Sequence, residues 1–292
     1  AWIEDIFGLN LLDNESVVVN LTVRAPAFDY QNEDALGMTP INVEGGAPTL
    51  SGLIVEGGVA HAMALGDTEA TVTDVELHGG LEIYFGAPTI EASRLLCGVR
   101  LEGDAVLRNN TIRGDGDCLI DPEWGYPAHM DVYVTQGASP TLSGNDISMG
   151  GGGIVIWEEA ISPVLDANRI HGNDVGISLA QGPTPIITNN ELVGNGTAIL
   201  LMGGSGLGPN AVIAGNTVTG GTEGIHINAG RSELTDNTVS GVSNQGVIIS
   251  GEAAPLLRAN SLCPSGEALV VLDHPTPDSA ASTEIGLVAP GD

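Results

Sequence analysis

Residues 164–179, VLDANRIHGNDVGISL, and residues 186–201, IITNNELVGNGTAILL, are two copies of one pattern set 22 residues apart. In both, an asparagine followed by any residue and an aliphatic (Asn168 in ANRI, Asn190 in NNEL) precedes a second signature. That signature is a small residue, an aliphatic, any residue and an aliphatic, as in Gly176-Ile177-Ser178-Leu179. Working outward, the asparagine slot recurs at Asn110, Asn145, Asn168, Asn190, Asn216, Asn237 and Asn260, with separations of 35, 23, 22, 26, 21 and 23 residues. Upstream, Leu53, Val75 and Ser93 fill the slot without asparagine. The second signature recurs at Gly80-Leu81-Glu82-Ile83, Gly98-Val99-Arg100-Leu101, Gly153-Ile154-Val155-Ile156, Gly224-Ile225-His226-Ile227 and Gly246-Val247-Ile248-Ile249.

Two short alternating strands per repeat, separated by Gly, Asn, Ser and Asp, leave no room for a crossover helix. The repeats must therefore stack as coils whose strands pair in parallel about 4.8 Å apart, and about ten coils are expected. The spacing predicts an all-β single solenoid, a parallel β-helix, with Leu142, Leu165, Ile187, Ile213, Leu234 and Leu257 stacked inside. A buried column of asparagines would satisfy backbone groups at the turns and the amides of neighbouring coils. Residues 1–47 read as an irregular N-terminal coil or cap, 48–272 as the repeats, and 273–292 as a C-terminal tail or cap. An insertion falls at about 113–140, where the separation of 35 exceeds the usual spacing.

The 292 residues carry 37 acidic and 8 basic side chains, for a net charge of −29. All eight basic residues are arginine, which removes Schiff-base chemistry, lysine bases and P-loop phosphate binding. So negative a field repels nucleic acid and anionic lipid, and favours cations or a basic protein. A hydrophobic fraction of 42% marks a globular chain and not a disordered acidic tail. No segment offers about 18 uninterrupted apolar residues, so membrane insertion is not expected. No export segment is recognised in AWIEDIFGLN; the expected setting is extracellular, periplasmic or cell-surface, with these residues then the mature form or an excised part.

The GNxI and GIxI units from about Pro48 to Leu272 resemble the pectin-lyase-like superfamily of right-handed parallel β-helices, in particular its carbohydrate-binding and sugar-hydrolase repeat group. The handedness comes from this resemblance, since spacing alone does not give it. The resemblance implies a fold shared by lyases, hydrolases, epimerases, tailspikes and adhesins, and leaves the activity open. Gly116-Asp117-Cys118 resembles the paired-aspartate segment of polygalacturonase-like hydrolases, but Gly116 interrupts the pair. Their Arg-Ile-Lys element cannot exist without lysine. Asp121-Pro122-Glu123 is similar to the Asp-Pro-His segment of mannuronan epimerases, without its histidine. Elimination of the pectate-lyase kind would need an arginine base, for which Arg94, Arg100, Arg108 and Arg113 are the clustered candidates.

Function on a repeat scaffold concentrates where a coil is interrupted. The insertion gathers Asp115, Asp117, Asp121, Glu123, His129 and Asp131 with Trp124, Tyr126 and Tyr133. Carboxylates of this kind serve as acid and base on a glycosidic bond or ligate calcium, and aromatic faces suit sugar rings. The ligand-binding candidates are Asp115, Glu123, Trp124, Tyr126, His129 and Asp131. The catalytic candidates, if the protein is an enzyme, are Arg100, Arg113, Asp117 and Asp121. No cofactor is called for, with calcium on Asp115, Asp117 and Asp121 the one ion these residues suit. A solvated acidic loop whose aromatics fasten it to the coils is the competing explanation. Cys97 and Cys118 lie about one coil apart and could pair, leaving Cys263.

Alternation also places Val155, Trp157, Leu200, Met202, Ile248, Val270 and Leu272 outward in the later coils, an apolar row of the kind that forms contact surfaces. A covering segment of the chain, a protein partner, an oligomer contact and a substrate would each explain it. Earlier coils put Glu82, Tyr84, Arg100 and Glu102 in these positions. Two functional classes follow. The leading one is a noncatalytic recognition module, for carbohydrate or a protein partner, within a larger protein or assembly. The alternative is a polysaccharide lyase, hydrolase or epimerase acting on an acidic glycan.

Overall fold

A computed structural model describes residues 2–4, 9–13, 15–24, 39–56, 61–114, 130–157, 160–180, 182–203, 208–272 and 285–288. The fold is all-β, a parallel β-solenoid, with no helix among the described residues. None is therefore long and apolar enough there to cross a membrane. The chain divides into two compact units, residues 1–151 and 152–292.

Each regular coil carries three short strands where the repeat suggested two. In the second unit one coil runs through Val164–Asp166, Arg169–His171 and Val175–Leu179. The break between the first two strands lies at Ala167-Asn168, where Ala167 adopts a left-handed φ of 54°. One extended run is thereby bent into two walls. The same left-handed bend precedes the ladder asparagine at Asn109 (φ 55°), Asn189 (φ 55°) and Asp236 (φ 56°).

Inside each unit, like residues stack on like. In the first unit the register runs Ile41, Met63, Leu81, Val99, Val132 on one wall and Leu50, Val72, Ile90, Leu107, Leu142 on another. In the second it runs Ile154, Ile177, Ile199, Ile225, Val247 and Leu165, Ile187, Ile213, Leu234, Leu257. All of these are buried. Aliphatic columns suit a parallel sheet because each side chain packs on a copy of itself one coil away. Within residues 1–47, the strands Leu9–Leu12 and Ile41–Glu44 join the same parallel pattern, Leu9 opposite Ile41 and Ile41 opposite Met63.

The asparagine column is a hydrogen-bonded ladder. In the second unit, the backbone N–H and side-chain amide of Asn190 both donate to Oδ1 of Asn216, at 2.9 and 3.0 Å. Asn216 repeats this toward Asn237, at 3.0 Å each, and Asn237 toward Asn260, at 3.0 and 2.9 Å. Each amide also donates to a backbone carbonyl in the preceding coil, as Asn216 does to Ile187 at 2.8 Å. The first unit holds Ser93, Asn110 and Asn145 in the same way. In the second unit Asn173 and Asn195 form a further rung at the next turn, 3.1 Å apart.

Asn216→Ala leaves the backbone N–H and amide of buried Asn190 and the carbonyls of Ile187 and Asn237 short of partners. It should cost about 2–4 kcal/mol, read as a lower urea midpoint at unchanged slope. Ala167→Gly, which removes a Cβ from a left-handed position, should leave the midpoint unchanged or raise it.

Candidate functional site

The outward face of one wall of the first unit concentrates charge. Leu81 and Ile83 point inward from the strand Gly80–Tyr84, so Glu82 and Tyr84 point outward. The parallel register sets Ala64, Glu82, Arg100 and Tyr133 side by side in successive coils. Arg100 lies between two carboxylates: Nη1 is 3.3 Å from Glu82 Oε1, and Nη2 is bound to Glu102 Oε1. Gln136 donates from Nε2 to the same Glu102 oxygen at 2.9 Å. On the other side, His61 Nδ1 sits 3.0 Å from Glu82 Oε2.

Although they face outward, Glu82 and Glu102 are only 1% and 6% exposed. Neighbouring coils 4.8 Å apart hem in any side chain between them. Burial by itself would push the Glu82 carboxyl up. The His61 hydrogen bond and charge, the Tyr84 hydroxyl and the Arg100 guanidinium together outweigh it and hold Glu82 below the usual carboxylate value. Tyr84 moves the other way: burial, then the hydrogen bond and charge of Glu82, push its phenol far above the ordinary range, against the pull of Arg100. Tyr84 is thus a fixed hydroxyl and no acid near neutral pH.

Around this buried array of carboxylates and a guanidinium, part-exposed Tyr84, Tyr133 and His61 and exposed Gln136 present polar atoms with ring surface beside them. Such a surface suits polyhydroxylated ligands. It is poorly disposed for proton abstraction by Arg100, whose guanidinium is held between Glu82 and Glu102.

The other arginines named from the sequence lie on different walls. Arg94 pairs with Glu76 at 2.8 Å, Arg108 with Glu91 at 2.9 Å, and Arg113 is exposed on the strand Thr111–Arg113 opposite Ser148. The winding of each coil separates them from Arg100 despite their closeness in sequence. Asp115, Asp117, Asp121, Glu123, Trp124, Tyr126 and His129 lie outside the described residues, and the calcium candidates with them. Among the described residues no group of three or more His, Cys, Asp or Glu is placed to hold a metal.

Asp131, expected as a loop ligand, is a strand residue of Met130–Val134 and fully buried. It directly precedes Val132, so its place in the two coils before is taken by Gly98 and Gly80, and Gly80 pairs in turn with His61 across a bulge. Cys97 is disulfide-bonded and Cys263 is a free, exposed thiol; Cys118, the partner considered from the sequence, lies outside the described residues.

The apolar row of the second unit is not a continuous exposed stripe. Its register reads Val155, Ser178, Leu200, His226, Ile248, Val270, so a hydroxyl and an imidazole interrupt it. Val155 and Ile248 are each only 5% exposed, shielded between flanking coils, and Leu200, Met202 and Val270 are half-buried. Trp157 (41%) and Leu272 (51%) are the members that present substantial surface. His61 and Gln136 were not singled out by sequence reasoning. Aligning the G-L-E-I and G-V-R-L units is the signal that could have linked Glu82 to Arg100.

The family model for the right-handed β-helix region matches residues 41–262. The chain belongs to the right-handed β-helix family. Among solved β-helix structures, it is similar to the periplasmic alginate epimerase AlgG, with a TM-score of 0.72 at 16% identity over 97% of this chain and 76% of that one. The Dettilon tailspike protein gp208 matches with a TM-score of 0.63 at 16% identity, over 90% of this chain and 61% of that one. At these identities the likeness concerns the β-helix fold alone. No curated protein sequence matches the chain significantly.

Because Glu82 is held below its ordinary value of 4.5 in the folded β-helix, its contribution to stability is present above that pH and is lost as pH falls through the lowered value. Glu82→Gln should therefore lower the urea midpoint clearly at about pH 7 and much less at about pH 3. Equal losses at both pH values would show that its charge contributes nothing.

Proposed function

We propose that this β-helix is a noncatalytic recognition module that binds saccharide on the outward face of the first unit, across Glu82, Arg100, Glu102, Tyr84, Tyr133, Gln136 and His61. The observation that carries the reading is the clamp of Arg100 between Glu82 and Glu102. It commits the buried charged groups to one another and sets part-exposed Tyr84, Tyr133 and His61 and exposed Gln136 beside them, the polar and ring surface that ligand hydroxyls would meet. The same clamp argues against arginine-based elimination. Solved proteins of like fold include one named as an alginate epimerase, which supports a glycan as the ligand class. A periplasmic, extracellular or cell-surface setting fits the same relatives.

The test is calorimetric titration with a panel of neutral and acidic oligosaccharides, alongside assays for unsaturated products and new reducing ends. Binding without turnover is expected, and Tyr133→Ala should weaken it about tenfold. Turnover that Arg100→Gln or Glu82→Gln abolishes would establish the enzyme instead.

A further inference from the structure

The strands of the charged wall in the first unit run into a shared turn position, and one coil fills it with an aromatic ring. Reading on from the paired strands, Gly45 (φ 69°), Asp67 (φ 42°), Phe85 (φ 60°), Gly103 and Gln136 (φ 52°) take this place in successive coils. Glycine and aspartate accept a positive φ readily, whereas a bulky side chain there is an outlier that its surroundings must hold in place. Among the described residues Phe85 is the one aromatic with positive φ. It is also 60% exposed, so packing against the core does not account for it.

The next coil leaves space beside this ring. Gly103 brings no side chain, and a Cβ there would stand 2.4 Å from the Phe85 carbonyl oxygen. One coil further on, the Gln136 amide is fixed by its 2.9 Å bond from Nε2 to Glu102 Oε1. No side chain of this column therefore stands between Phe85 and Gln136, two coil steps or roughly 10 Å apart. Carboxylates border the ring: exposed Asp67, whose N–H donates to the Tyr84 carbonyl at 2.8 Å, and exposed Asp104, whose N–H donates to the Gly86 carbonyl at 2.9 Å. A pyranose has an apolar C–H face and a polar edge, which suits an isolated aromatic ring edged by an amide and acids. A protein contact would call for a broader apolar patch.

We propose that Phe85 is an aromatic platform, edged by Gln136, Asp67 and Asp104, that forms an outer subsite for an uncharged oligosaccharide. This rests on the saccharide-recognition reading and names its ligand class. Two coil steps of about 4.8 Å and three strand residues of about 3.3 Å each separate Phe85 from Tyr133, on the order of 14 Å in all. One sugar ring cannot touch both, so the ligand is a chain of several rings. The carboxylates at the platform turn uronosyl rings away, because the guanidinium of the array, Arg100, is already held between Glu82 and Glu102.

The test titrates mannohexaose, cellohexaose, maltohexaose and hexamannuronate, with the disaccharide of each, calorimetrically into the full chain and its variants. A neutral hexamer should bind more tightly than hexamannuronate. Phe85→Asn, which suits a left-handed position, should weaken that hexamer about tenfold, leave its disaccharide unchanged, and keep or raise the urea midpoint. Phe85→Trp, which keeps a ring, should bind as the unaltered protein does. If Phe85→Asn leaves the hexamer unaffected while Tyr133→Ala weakens it, the platform is overturned and recognition stands. Equal weakening of hexamer and disaccharide, or a lowered midpoint in Phe85→Asn, likewise rejects an outer subsite. Tighter binding of hexamannuronate than of every neutral hexamer overturns the uncharged ligand class. If no hexamer binds, the recognition reading fails and the platform with it.

Discussion

Every coil must meet the next at the strand spacing of about 4.8 Å, and buried polar groups at the turns must find partners within that distance. The asparagine ladder meets both demands. Its amide spans one coil step, donating to a carbonyl behind it and, through its own N–H groups, to the next asparagine ahead. An unpaired amide in such a column would cost more than a lost aliphatic contact, so the ladder fixes the register of each unit. Register in turn decides which side chain lies beside which.

The same close spacing explains the small residues that open the inward-facing strands. A Cβ on Gly176 would stand 2.6 Å from the carbonyl oxygen of Ala198 in the next coil, too close without backbone movement. Asp131 breaks this rule in the first unit, placing a buried carboxylate where neighbouring coils carry Gly98 and Gly80. It stands where the chain returns from the insertion and two residues before Tyr133, which shares a row with Arg100.

Charge acquires a local meaning on this scaffold. A net −29 describes the field at a distance, whereas the described ion pairs show how the few arginines are distributed. Arg24, Arg94, Arg100, Arg108 and Arg169 each face a glutamate, most of them one coil away. Exposed pairs of this kind contribute little. The Glu82–Arg100–Glu102 array differs because it is largely removed from water, so its charges act on one another and on a ligand with less screening.

The sequence by itself determined the repeat, its parallel pairing and the identity of the inward columns, because period, glycine placement and strand alternation are local properties. It also determined that Glu82, Tyr84, Arg100 and Glu102 face outward. What only the tertiary structure decided is which of the outward groups touch. Arg94, Arg108 and Arg113 look like neighbours of Arg100 in the chain, yet each turn of the coil carries them to other walls. His61, remote in sequence from Glu102, joins it through Glu82 and Arg100. The apolar row likewise read as a stripe until the register set Ser178 and His226 within it and the flanking coils shielded Val155 and Ile248. Neighbourhood in a solenoid is set by the angle at which each short strand leaves its turn, and those angles rest on left-handed residues and ladder bonds that a list of residue types does not contain.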